Sequence, residues 1–255
     1  MVQATFSAKS ALKAQQNRLD VIANNIANID TTGFRSSRVD FKDTLYNTIK
    51  RTDEMEPDAN LQRGSGVRVS ATTLSMENGT PVGTGISLDF CIGGAGFFTL
   101  RAPDGGMLYT RDGIFAVSNE GGSRYLVNAQ GYYVLDKSGN RITIPQGADT
   151  SAISCAEDGT LSFNGTSFSS LGVSEFPNPV GLEAVGGNNF RATAASGTAT
   201  ASTSPSVMQG FYESSNVDLA SEMTRLIRAQ KAFSFAARAL TTADEMDAMA
   251  NNLRT

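Results

Sequence analysis

Both ends of the chain carry apolar residues at strict heptad spacing, and that pattern admits few structures. Thr5, Ala8, Leu12, Gln15, Leu19, Ile22, Ile26 and Ile29 follow at alternating steps of three and four. Toward the other end Leu219, Met223, Leu226, Gln230, Phe233, Ala237 and Leu240 do the same; the seam then changes phase to Ala243, Met246, Ala250 and Leu253. So narrow a stripe suits a coiled-coil seam better than the broad face of a helix lying on a globular core. The spacing predicts a helix over about residues 4–29, stopped at Gly33, and a second over about 217–253. At 1.5 Å per residue they would run about 38 and 55 Å. Ser214 or Ser215 is expected to cap the second, with Asp218 and Glu222 near its positive end. Each seam holds one glutamine, Gln15 and Gln230, whose pairing would fix register. Alanines beside both seams, such as Ala11, Ala23, Ala232 and Ala239, leave flat sides where further helices can approach. A bundle built from several chains is therefore expected. The plainer alternative is two core helices of one α+β domain.

Between the helices the pattern changes. Residues 34–66 read as a connecting segment, and the polar stretch KRTDEMEPDANLQRGSG at 50–66 reads as an extended arm. From Val67 to 191 short apolar or alternating runs (VRVSATTL, GFFTLRA, GIFAVS, RYLVNA) are separated by turn signals. Those signals include Asp104-Gly105, Asp112-Gly113, Ser138-Gly139 and Asp158-Gly159. A mainly antiparallel β domain is expected there. Residues 192–215, rich in Ala, Ser and Thr, read as a flexible return segment, and 216–255 as the second helical element. The predicted class is α+β, with residues 1–33 and 216–255 paired as a coiled coil plus this central, mainly antiparallel β domain.

Composition narrows the chemistry. Histidine is absent, which removes Ser-His-Asp and Cys-His catalysis and histidine zinc sites together. A net charge of -4 gives no broad nucleic-acid footprint. No apolar run is long enough to span a membrane, and the first twenty residues lack the apolar stretch of a cleaved leader. Cys91 and Cys155, each without a second cysteine at metal spacing, read as small buried hydrophobes. Gly93-Gly94-Ala95-Gly96 follows a strand-like run, but Phe97-Phe98-Thr99-Leu100 reads as another strand, not the helix a phosphate loop requires. Arg111-Asp112 and Glu157-Asp158 each sit beside a glycine, and turns explain them. No catalytic, cofactor-binding or metal-ligating residue is assigned.

Three segments, in order, carry a resemblance. Ala23-Asn24-Asn25-Ile26-Ala27-Asn28 through Thr32-Gly33-Phe34-Arg35 resembles the ANN-hydrophobe-AN…T-x-GF-K/R signature of bacterial flagellar rod and hook proteins. Gly94-Ala95-Gly96-Phe97-Phe98, then Tyr109-Thr110-Arg111-Asp112-Gly113, resembles the same family's GxGFF…YTRDG segment. Glu213-Ser214-Ser215-Asn216-Val217-Asp218-Leu219 with Ala229-Gln230-Lys231-Ala232-Phe233 resembles its E-x-SNVDL…AQ-K/R-A helix. Cys91 stands where an ordinary aliphatic residue is expected. Within the family, the polar arm is similar to that of the distal-rod type, with hook and proximal-rod types as alternatives. The resemblance implies a structural subunit that assembles with copies of itself into a hollow tube. It implies other rod and hook proteins, and outer ring proteins, as partners. It also implies export by the flagellar type III route without a cleaved signal. It brings no cofactor, no nucleic acid and no membrane insertion. The competing class is a secreted binding module carried on a coiled-coil stalk.

Overall fold

The computed structural model describes residues 2–48 and 62–252, and the part of the polar arm at 49–61 lies outside them. The chain divides into two compact units. One comprises residues 1–27, 37–74 and 218–255; the other comprises 28–36 and 75–217.

The first unit holds both helices, α1 (Val2–Ala27) and α2 (Leu219–Asn252). Each ends within two residues of its expected boundaries; α1 stops at Ala27 and leaves Ile29 in the following turn. Strand β1 (Ser37–Asp43) pairs antiparallel with β4 (Val67–Leu74), with a bulge between Asp40 and Phe41. Between them β2 (Tyr46–Thr48) pairs with β3 (Gln62–Gly64). Residues 67–74 were expected in the outer β domain; instead they form a ribbon with β1 that packs on α1. The reason is cross-strand pairing, which local patterning does not specify. Helix α1 therefore meets two neighbours, α2 on one side and the ribbon on another. Ala8, Ala14 and Ile22 are its buried apolar residues. Asn25 joins it to the ribbon: its Nδ2 donates to the Ser37 carbonyl at 2.8 Å, and its Oδ1 accepts from the Ser37 N–H at 2.9 Å.

The cap of α2 differs from expectation. The Asp218 carboxylate accepts the N–H groups of Ala220 and Ser221 at 3.3 and 3.2 Å, so Asp218 is the capping residue rather than either serine. The Ser215 hydroxyl accepts from the Val217 N–H, within the second unit.

The second unit is built of short strands, and its pairings are antiparallel. Its largest sheet runs Thr143–Ile144, Ser123–Val127, Tyr133–Val134, Phe97–Arg101, Met107–Thr110, Asn189–Arg191 and Glu183–Gly186. Phe97–Arg101 is central and buried on both faces. Phe98 packs edge-on against Phe115 at 5.3 Å, while Phe97 meets Phe176 and Phe190 at 5.9 and 5.8 Å. Each such ring contributes about 2–3 kcal/mol of burial. Gly105, Gly139 and Gly159 lie at positive φ as their turn signals require. The return segment is not wholly irregular: Thr200–Ala201 pairs with Val173–Glu175. Helices and a mainly antiparallel β unit together make the class α+β.

Candidate functional site

Two features of the molecule are built for work: a buried charge clasp in the second unit and an unusual division of faces on α2 in the first.

The clasp gathers the three recognised motifs. Glu213, 1% exposed, lies between two arginines: Arg35 Nη1 is 2.7 Å from its Oε1, and Arg111 Nη1 is 3.1 Å from its Oε2. The remaining donors go to carbonyls. Arg35 donates to Glu77 O at 2.6 Å; Arg111 donates to Gly94 O at 2.6 Å and Ile92 O at 3.2 Å. The N–H of Gly79 donates to Glu213 Oε1 at 2.7 Å, and that of Gly33 to the Glu213 carbonyl at 2.8 Å. The Arg111 guanidinium also stands 5.4 Å above the Phe97 ring. Burial pushes Arg111 below its ordinary pKa, opposed by Glu213. A buried pair of this kind does not by itself add much stability, but removing one member leaves an uncompensated buried charge.

Around it the motif residues interlock. Asn216 accepts the Ser36 N–H at 2.7 Å and donates to the carbonyls of Ser75 and Glu77 at 3.1 and 3.0 Å. Thr32 donates to Asp112 at 3.0 Å, and Asn28 accepts from Thr31. Burial pushes the Asp112 carboxyl above its usual range, opposed by hydrogen bonds from the Ile114 N–H and Thr32. Gly33 combines φ +65° with a close approach: a Cβ there would stand 2.6 Å from the Asp112 nitrogen. At Gly113 a Cβ would lie 1.7 Å from the Phe90 carbonyl oxygen. Arg111 and Asp112 are therefore not the exposed turn charges that local sequence suggested. They are buried, because distant segments close over them. Glu157-Asp158, by contrast, is an exposed turn. Phe34 is half-buried, and Gly96 abuts Val173. The roles of Arg35 and Glu213 were not legible; the only signal was the presence of a charged residue in each motif's wording.

On α2 a stripe of buried and half-buried residues runs through Glu222, Leu226, Ala229, Phe233, Ala236, Leu240, Ala243 and Asp247, with Ser221, Ala232 and Ala237 half-buried beside it. It keeps steps of four and three throughout, so the expected phase change at Ala243 does not occur. Of the residues expected in the seam, Leu226, Phe233, Ala237 and Leu240 are half-buried. Leu219 and Met223 are exposed, as is Gln230. Gln15 and Gln230 are consequently not paired, since the Gln15 oxygen is buried without a partner and Gln230 faces outward. On α1, Leu12, Leu19 and Ile26 are half-buried and Ile22 buried, while Asn24 is exposed. Turned away from the buried stripe of α2 lie Met223, Ile227, Phe235, Met246 and Met249, between 43% and 66% exposed.

Cys91 is buried and Cys155 half-buried, both as free thiols; burial pushes them up to about 11 and about 12. Among the described residues no group of acidic or cysteine side chains is arranged to hold a metal ion.

Charged groups consumed in an internal clasp, together with apolar side chains left exposed along α2, are what a structural subunit would show. Comparison with known proteins agrees. Residues 7–35 match the description "Flagella basal body rod protein", 91–163 "Flagellar hook protein FlgE/F/G D1 domain", and 208–253 "Flagellar basal body rod FlgEFG protein C-terminal". Proteins named flagellar basal-body rod protein FlgG are similar over nearly the whole chain. That of Borreliella burgdorferi is 37% identical over 100% of this chain and 99% of its own length; that of Caulobacter vibrioides is 38% identical over 99% and 100%. The FlgG of Bacillus subtilis is 36% identical over 96% and 97%. The chain belongs to the flagellar basal-body rod protein family.

Proposed function

We propose that this chain is a structural subunit of the distal rod of the bacterial flagellar basal body. In this reading it assembles helically into a hollow, stiff shaft that transmits motor torque to the hook. Its partners are copies of itself, the adjoining rod and hook proteins, and outer ring proteins; it reaches the site by type III export without a cleaved signal. It performs no catalysis.

The observation that carries the reading is the set of large apolar side chains left exposed along α2, namely Met223, Ile227, Phe235, Met246 and Met249, set among charged residues such as Arg228 and Lys231. Covering each of these half-exposed side chains gains on the order of 1 kcal/mol. The gain recurs in every subunit of a polymer. Contacts between unlike faces of identical chains do not close into a ring and so propagate as a helix. The steps of three and four on α2, and the matching steps on α1, support coiled-coil pairing of the two helices. The stretch at 50–66 is taken as an arm reaching a neighbouring subunit and stiffening the tube. Electron microscopy of the concentrated purified chain tests the reading. Open filaments support it, whereas closed oligomers of fixed size would favour the stalked binding module.

A further inference from the structure

The dipeptide Asn-Gly occurs twice in the chain, at Asn78-Gly79 and Asn164-Gly165, each time followed by threonine. A glycine after asparagine leaves its backbone nitrogen open to the asparagine side chain, because no Cβ shields that nitrogen or restricts its torsions. Local sequence therefore makes the two sites equally reactive. Their surroundings do not.

Asn78-Gly79 is locked by the charge clasp. The Asn78 carboxamide is engaged at both atoms: Oδ1 accepts from Arg35 Nη2 at 3.3 Å, and Nδ2 donates to Gly94 O at 3.2 Å. The Gly79 N–H donates to Glu213 Oε1 at 2.7 Å. Losing that proton would set an anionic nitrogen against a buried carboxylate. The backbone is hemmed in as well, since a Cβ on Gly79 would meet the Ser214 carbonyl oxygen at 1.9 Å.

Asn164-Gly165 is a two-residue turn joining the strands Thr160–Phe163 and Thr166–Ser170. Its residues lie at φ 51° and 78°, both positive as a type I′ turn requires. Both are exposed, and nothing lies within 4 Å of a Cβ built on Gly165. Among the described residues, no hydrogen bond engages the Asn164 carboxamide or the Gly165 N–H. An exposed turn opens locally at little cost, which lets the carboxamide swing onto the nitrogen.

We infer that Asn164 is a site of spontaneous deamidation and that the clasp protects Asn78 from the same reaction. The Gly165 nitrogen gives its proton to hydroxide and attacks Asn164 Cγ. The new C–N bond closes a succinimide as the Cγ–Nδ2 bond breaks, and the leaving nitrogen takes a proton from water to depart as ammonia. Water then opens the ring at either carbonyl, leaving aspartate or isoaspartate and a new negative charge at the hairpin tip. Aspartate keeps the turn, because Asp-Gly suits the same geometry. Isoaspartate lengthens the backbone of a turn whose length sets the register of the two strands.

Ageing the full chain in warm, mildly alkaline buffer, with and without urea, tests this. Mass spectrometry of proteolytic peptides follows the replacement of NH2 by OH at each site. In the folded chain Asn164 should convert at least about tenfold faster than Asn78. In urea, where clasp and turn are both lost, the two rates should come within about threefold of each other. Equal rates in the folded chain, or a faster Asn78, overturn the inference. A difference of the folded size that persists in urea would trace it to sequence neighbours and overturn the protection by the clasp.

Discussion

Arg35 Nη1 stands 2.7 Å from Glu213 Oε1, with both side chains 1% exposed, and this contact joins the segment following α1 to the one preceding α2. Arg111 completes the clasp from the middle of the sequence. Three motifs separated along the chain are thus held by one carboxylate.

Glu213→Ala should therefore be costly. Two buried arginines lose their anionic partner, and breaking such a cluster costs about 3–5 kcal/mol. Urea unfolding followed by circular dichroism should show the midpoint falling accordingly. A loss under 1 kcal/mol would mean that the carbonyl bonds from Glu77, Ile92 and Gly94 hold the arginines unaided.

Gly113→Ala should disrupt the β unit itself. The added Cβ would stand 1.7 Å from the Phe90 carbonyl oxygen, a backbone atom that cannot swing aside. Gly85→Ala is the contrast for crowding, since nothing lies within 4 Å of a Cβ there, although φ +71° still strains the backbone. Limited proteolysis should cut residues 97–191 rapidly in Gly113→Ala and only slightly faster than normal in Gly85→Ala.

The two faces of α2 should respond differently to charge. Leu226→Asp places a carboxylate in the half-buried stripe and should lower monomer stability by about 2–3 kcal/mol, abolishing assembly as well. Ile227→Asp alters an exposed position and should leave the monomer within about 0.5 kcal/mol of normal. It should nonetheless prevent polymer formation. Thermal melts of dilute protein, paired with sedimentation of concentrated protein, separate the two effects. Polymer from Ile227→Asp would show that this face is not an assembly surface.

Alkaline stability should depend on Cys91. Burial raises its folded pKa from 9.0 to about 11, so above pH 9 the unfolded chain releases this proton first. Stability is thus fully present below pH 9 and falls as pH rises toward 11, by on the order of 2–3 kcal/mol from this group. Cys91→Ala should flatten that part of the stability curve relative to the unsubstituted chain. Parallel curves for the two proteins between pH 8 and 11 would contradict the assignment.

Much of the molecule was legible in the residues alone. Heptad spacing located both helices to within two residues, because helix formation over such a length is a local property reinforced at every turn. Asp104, Ser138 and Asp158, each followed by glycine, marked turns correctly, since positive φ is likewise a local demand. Which face of α2 would be buried was not local. Steps of three and four fit several stripes on one alanine-rich helix, and the apolar rule favoured Leu219 and Met223. The fold instead buries Glu222, Ala229 and Ala243, small or paired residues that allow close approach. The strand at 67–74 lay beyond local reading because its partner, β1, is distant in sequence. Arg111 lay beyond it for the same reason. Flanked by Asp112 and Gly113 it has the wording of a turn, and only when Glu213 and the carbonyls of Ile92 and Gly94 converge on it does burial become affordable. Periodicity and turn chemistry, which act between near neighbours, are written in the sequence. Burial of charge and the choice among equivalent helix faces depend on partners far along the chain, and only the tertiary structure decides them.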